Sequence, residues 1–161
     1  MANLTPKQVF TNPIHFLAAG FGAGLAPKAP GTAGTLVAVP IYVLLAGYLG
    51  TGAYLSVTAL LFLAGFGICG YTARRIGGDD PKSVVWDEIV GYLVAMAWAP
   101  LGWLWIVLGF GLFRLFDIWK PWPIRWLDRR VKGGLGIMLD DLVAGFFACL
   151  ALNLPRYLLK L

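Results

Sequence analysis

APGTAGTLVAVPIYVLLAGYLGTGAYLSVTALLFLAGFGICGYTA, residues 29–73, runs for 45 consecutive positions between Lys28 and Arg74 without a charged side chain. A helix that crosses about 30 Å of hydrocarbon needs about 20 residues, so this stretch holds two crossings. They are expected over about 36–49 and 53–72, joined near Gly50-Thr51-Gly52. Two shorter charge-free runs follow, 25 residues from Ile89 to Phe113 and 14 from Leu142 to Pro155. The whole chain has 161 residues, 59% apolar and 13% charged, with a mean hydropathy of +0.75. Soluble domains average about 25% charged residues, so disorder, a coiled coil and an ordinary soluble enzyme are all poor fits. The fold expected is all-α, a polytopic membrane bundle forming one domain over residues 1–161.

Outside these runs the charges set the topology. If the first two crossings go out and back, Lys28 and Arg74-Arg75 share one face, which the excess of cations makes cytoplasmic. Asp80-Pro81 then reads as an N-cap and first-turn proline opening a helix through Asp87 and Glu88 to Trp98. A single span over 89–113 would carry Arg125, Arg129, Arg130 and Lys132 to the outer face. Pro100-Leu101-Gly102, flanked by Trp98, Trp103 and Trp105, instead predicts a hairpin with arms of about 81–98 and 103–120, each crossing nearly the whole layer. A last helix is expected over about 137–155, with Arg156 and Lys160 favouring the same side as the other cations. That makes about four to five membrane-embedded helices. Asn12-Pro13 adds a short interfacial helix through Phe16 and Leu17, and no cleaved signal segment is expected ahead of it.

The net charge of +5 comes from cations set between apolar runs, which suits an anionic lipid surface rather than nucleic acid. His15, the single histidine, is expected to be structural or solvated, and Cys69 and Cys149 to be buried free thiols. All eight acids fall between Asp79 and Asp141. Asp79, Asp80 and Asp128 read as caps or loop charges. Asp87, Glu88, Asp117, Asp140 and Asp141 are placed by three helices at similar depth, where isolated anions are expensive to desolvate. Converging carboxylates favour a hard divalent cation such as Mg²⁺.

Arg114, Asp117 and Lys120 share a helical face, which suits either a phosphate grip or an internal ion-pair ladder. The segment GFGAGLAPKAPGTAG, residues 20–34, is either a simple chain reversal or an anion cradle with Lys28, Thr32 and Thr35 as donors. Intramembrane acids beside cations also describe a small ion or proton transporter, although the acids here cluster towards one face and no repeat is evident.

Four segments carry a family resemblance: GFGAGLAPKAPGTAGT, DPKSVVWDEIVG (80–91), FRLFDIWKPWPI (113–124) and GGLGIMLDDLVAG (133–145). Together they cover about a third of the chain and resemble, in order, the phosphatidylglycerophosphatase A family. The resemblance implies a bacterial inner-membrane, Mg²⁺-dependent lipid phosphatase that converts phosphatidylglycerophosphate, an anionic phospholipid, to phosphatidylglycerol and inorganic phosphate, working at the cytoplasmic face. Joined to the residue pattern, it gives Asp87, Glu88, Asp140 and Asp141, with Asp117 as a fifth, as metal ligands. Lys28, Thr32, Thr35, Arg114 and Lys120 would bind phosphate, with Arg114 and Lys120 neutralising its developing charge. A metal-activated water and a carboxylate nucleophile, Asp87 or Asp141, remain alternative attacking groups.

Overall fold

The structure, a computed structural model, describes residues 3–78 and 80–159, with Arg156 and Leu159 as backbone alone. Asp79, expected as a cap or loop charge, and Lys160 lie outside the described residues. Every regular element among those residues is helical. Helix α1 (Pro6–Thr11) meets α2 (Pro13–Ala18) at Asn12, whose Oδ1 accepts from Ile14 N at 2.9 Å and His15 N at 3.4 Å. Asn12-Pro13 therefore acts as the cap and first-turn proline expected. A 3₁₀ turn (Gly20–Leu25) leads into α3 (Pro30–Tyr48), which reverses at Leu49-Gly50 into α4 (Thr51–Ile76).

Helices α5 (Trp86–Ala95) and α6 (Trp103–Trp119) form the hairpin, α7 (Ile124–Arg130) is short, and α8 (Gly133–Leu159) completes the bundle. Three stretches are long and apolar enough to cross a membrane: α3, α4 and residues 133–155 of α8. Within the hairpin α5 is packed among them, whereas α6 lies mainly against α8 with most of its residues partly or fully exposed.

The first arm differs from expectation. It starts at Trp86 rather than at Pro81 and has ten residues, about 15 Å, so it reaches only halfway through the layer. Residues 81–85 are withdrawn from the helix by partners elsewhere in the chain. Val85 N donates to Ala18 O at 2.8 Å, Leu4 N donates to Ser83 Oγ at 2.9 Å, and Val84 N closes a turn on Pro81 O. The indole of Trp86 donates to Leu61 O on α4 at 3.1 Å and fixes the new start.

Eight of the ten α5 residues are buried, with α8, α3, α4 and α6 packed around them. The helix can end inside the bundle because neighbouring side chains serve its carbonyls, as lipid cannot. Tyr54 Oη donates to Leu93 O at 2.6 Å, Asn153 Nδ2 to Ala97 O at 3.1 Å, and Tyr42 Oη to Ala99 O at 3.3 Å. Pro100-Leu101-Gly102 lies in the turn that follows, as expected.

Helix α8 crosses α5 where glycines face each other. A Cβ built on Gly145 would lie 2.3 Å from Gly91 O, and one on Gly91 would lie 2.9 Å from Asp141 O. Helix α8 starts beside the acids and reaches the α5–α6 turn through Cys149 and Asn153. The backbone of residue 156 thus emerges at the end opposite the acids. The preference of Arg156 for the cations' side yields to an apolar stretch of 23 residues that spans the bundle without reversing.

Candidate functional site

At the end where α3, α5 and α8 begin and α6 finishes, a cavity of about 320 Å³ opens between them. Its wall includes Asp87 and Glu88 from the first turn of α5, Asp141 from α8, and Arg114 and Lys120 from α6 and its cap. Carboxylate oxygens of Asp87, Glu88 and Asp141 lie within 4.8 Å of one another. Asp87 and Asp141 are buried, and Asp87 Oδ1, Glu88 Oε2 and Asp141 Oδ2 are buried without any hydrogen-bond partner. Such anions need a cation to offset their desolvation. Three hard oxygen donors at this spacing fit a divalent ion, whose opposite ligands lie about 4–5 Å apart.

The other two acids named from sequence line the same cavity but point at cations. Asp140 Oδ2 accepts from Lys120 Nζ at 2.5 Å, and Asp117 Oδ2 is ion-paired with Arg114 Nη1. Successive residues of a helix project about 100° apart, so Asp140 faces the α6–α7 corner while Asp141 faces α5. Lys120 also donates to Asp128 at 3.1 Å, which makes Asp128 a partner of the site's cation rather than a free loop charge. Burial opposes the charge on Lys120, but Asp140 and Asp128 outweigh it and hold the ammonium above the usual lysine value.

Of the proposed donors from the glycine-rich segment, none lines the cavity. Lys28 is exposed near its rim. Thr35 is fully buried and donates its hydroxyl to Gly31 O at 2.9 Å, and Thr32 sits one residue beyond the part of α3 that reaches the wall. The glycines instead set the walls. A Cβ on Gly31 would lie 2.2 Å from Glu88 Oε1, and one on Gly24 would lie 2.1 Å from Ser83 O in the loop leading to α5. The segment thus lets the chain before α5 and the Glu88 carboxylate seat closely.

Among the wall residues not expected from sequence are Gly31, in a segment that reads as a chain reversal or an anion cradle, Asp80, which reads as a cap, and Lys82, expected inside a helix that does not include it. The position of Lys82, five residues before Asp87 in one polar segment, was the available signal. His15 lies away from the cavity, buried with Nδ1 3.0 Å from Thr72 Oγ1. Cys69 and Cys149 are buried free thiols.

The family model for phosphatidylglycerophosphatase A matches residues 16–156, a span that includes every wall residue. The chain is 48% identical over 136 residues to phosphatidylglycerophosphatase A of Escherichia coli (strain K12), covering 84% of this chain and 78% of that protein. It is 46% identical over 156 residues to the Haemophilus influenzae protein of the same name, covering 96% of each. A Bacteroides thetaiotaomicron protein described as a putative phosphatidylinositol-3-phosphatase is 39% identical over 147 residues, covering 87% of this chain and 91% of that protein. No solved structure matches the chain. With the match running from α2 into α8 and through the whole cavity, the chain belongs to the phosphatidylglycerophosphatase A family.

Proposed function

We propose that this protein hydrolyses the terminal phosphomonoester of phosphatidylglycerophosphate to give phosphatidylglycerol and inorganic phosphate, using Mg²⁺ at the cytoplasmic face of a bacterial inner membrane. The observation that carries the reading is the set of three convergent carboxylates with unpartnered oxygens beside Arg114 and Lys120, at one end of an apolar bundle. Its family membership supports the same reaction. A transporter would spread its acids through the membrane's depth, whereas the described acids gather at one end.

Asp87, Glu88 and Asp141 would hold the metal. When bound, Mg²⁺ supplies Lewis acidity towards a phosphoryl oxygen and lowers the pKa of water. Arg114 and Lys120 line the same cavity, where their charges would meet the oxygens on which negative charge builds in phosphoryl transfer. Asp117 and Asp140 hold these two cations in place through their ion pairs. The acyl chains stay in the leaflet while the headgroup enters the cavity from its polar end.

The test is phosphate release from phosphatidylglycerophosphate by purified protein in mixed micelles with Mg²⁺, and then with excess chelator. Release should stop with chelator, return with added Mg²⁺, and fall at least about a hundredfold in Asp141→Asn, a loss of roughly 2.7 kcal/mol of transition-state stabilisation. Release indifferent to both changes would remove the metal from the reading. No release under any condition would remove the reaction.

A further inference from the structure

A second cavity, about 600 Å³, lies at the α6–α7 corner and shares Lys120 with the first. Its aromatic wall is Trp119, Trp122 and Trp126, which are 62%, 81% and 47% exposed, values that turn these rings outward rather than into the bundle. Its charged wall is Arg125, Arg129 and Arg130. Among the described residues none of these arginines is paired with a carboxylate, because Asp128, the one acid between Lys120 and Lys132, is given to Lys120. Arg130 lies over the Trp126 ring, 5.0 Å from its centroid, and Arg125 Nη2 donates to Trp119 O at 3.4 Å. Both contacts orient guanidinium groups without neutralising them. Buried Ile124 anchors α7 to the bundle, so the aromatic and cationic side chains stand out from its other face.

Exposed tryptophans interleaved with arginines suit the level of lipid headgroups, where the rings take the interface and the guanidiniums take phosphate oxygens bidentately. We propose that this cavity is a subsite for the phosphodiester of an anionic phospholipid, adjoining the catalytic cavity through Lys120. Resting on the phosphatase reading for its substrate, the proposal divides the two phosphates of that headgroup between two cavities. The phosphodiester is held at α7 while the terminal monoester lies among the acids. Product retains the phosphodiester and so is a ligand of the same subsite.

The first experiment reads binding without turnover. Protein in phosphatidylcholine nanodiscs is doped with brominated phosphatidylglycerol or brominated phosphatidylcholine, and quenching of tryptophan fluorescence is followed. Stronger quenching by the anionic lipid, lost in the combined variant Arg125→Gln, Arg129→Gln, Arg130→Gln and unaffected by millimolar inorganic phosphate, is the expected result. Equal quenching by both lipids in the wild-type protein overturns the subsite whatever the variant does. Displacement by inorganic phosphate would reassign it to free phosphate.

A catalytic arm compares phosphatidylglycerophosphate with glycerol 3-phosphate, which has no phosphodiester. The triple variant should raise KM for the lipid about tenfold, leave kcat within about twofold, and leave glycerol 3-phosphate turnover unchanged. An equal change for both substrates counts against the subsite. Because the quenching arm needs no hydrolysis, failure of the phosphatase reading and failure of the subsite are read separately.

Discussion

Lys120 holds Asp140 at 2.5 Å and Asp128 at 3.1 Å, so its loss would strand a carboxylate that is 8% exposed. Lys120→Met should destabilise the protein by about 1–3 kcal/mol, the cost of a buried polar group left unpaired. Adding Asp140→Asn should recover most of that loss in detergent thermal unfolding but none of the phosphatase activity, and equal melting of single and double variants would contradict the pairing. His15 carries a pH dependence of known sign. Burial, and then the nearby Arg75, hold its pKa below the usual histidine value, so the folded protein prefers the neutral ring. Its contribution to stability is therefore present above about pH 6.5 and is lost as pH falls through that value towards the lower folded pKa. Subtracting the melting profile of His15→Gln from that of the native protein should leave a curve that falls between pH 7 and 5, and a rising difference would reverse the assignment. The membership of the candidate site was legible at this scale, since rarity of charge in an apolar chain marks Asp87, Glu88, Asp141, Arg114 and Lys120, which the fold brings to one cavity. The sorting of the acids was not. Whether Asp140 or Asp141 faces α5 depends on the rotational phase of α8, which its crossing with α5 sets.

Among the elements, the α5–α8 crossing is where shape controls chemistry. A side chain on Gly145 would enter the space of Gly91 O at 2.3 Å and push apart the helices that bring Asp141 to Asp87 and Glu88. Gly145→Leu should lower activity at least about tenfold, equivalent to roughly 1.4 kcal/mol at the transition state, without removing a ligand. Gly67→Ala, where an added Cβ meets nothing within 4 Å, should keep full activity. It should also gain up to about 1 kcal/mol from reduced chain entropy. Retained Mg²⁺-dependent turnover in Gly145→Leu would show that the close crossing is dispensable. Element prediction succeeded where signals are local, as at the Asn12 cap and the Leu49-Gly50 reversal. It failed at the start of α5, where a local cap signal at Asp80-Pro81 is overridden by the Leu4–Ser83 bond, which links residues 79 positions apart.

Most of the charged residues gather at the end that holds the acids, with residue 156 an exception at the other, and the excess of cations there predicts that this end faces the cytoplasm. Cys69 and Cys149 are buried, so added thiols can report topology against a silent background. Thr51→Cys, at the α3–α4 reversal, should react with an impermeant maleimide on intact spheroplasts. Lys132→Cys should react only after permeabilisation, and labelling of both from outside would overturn the orientation. The shortness of α5 has a further consequence, for membrane thickness. Helices α4 and α8, with 26 and 27 residues, extend to about 40 Å and must tilt or protrude from a layer of about 30 Å. Hydrophobic mismatch therefore acts on them, whereas α5 is enclosed by its neighbours and has no length to match to the lipid. Asp87 and Glu88 ride on this insulated helix while Asp141 rides on α8, so a bilayer that thickens or thins as its acyl chains change reaches the cavity through the α5–α8 crossing and not through α5 itself.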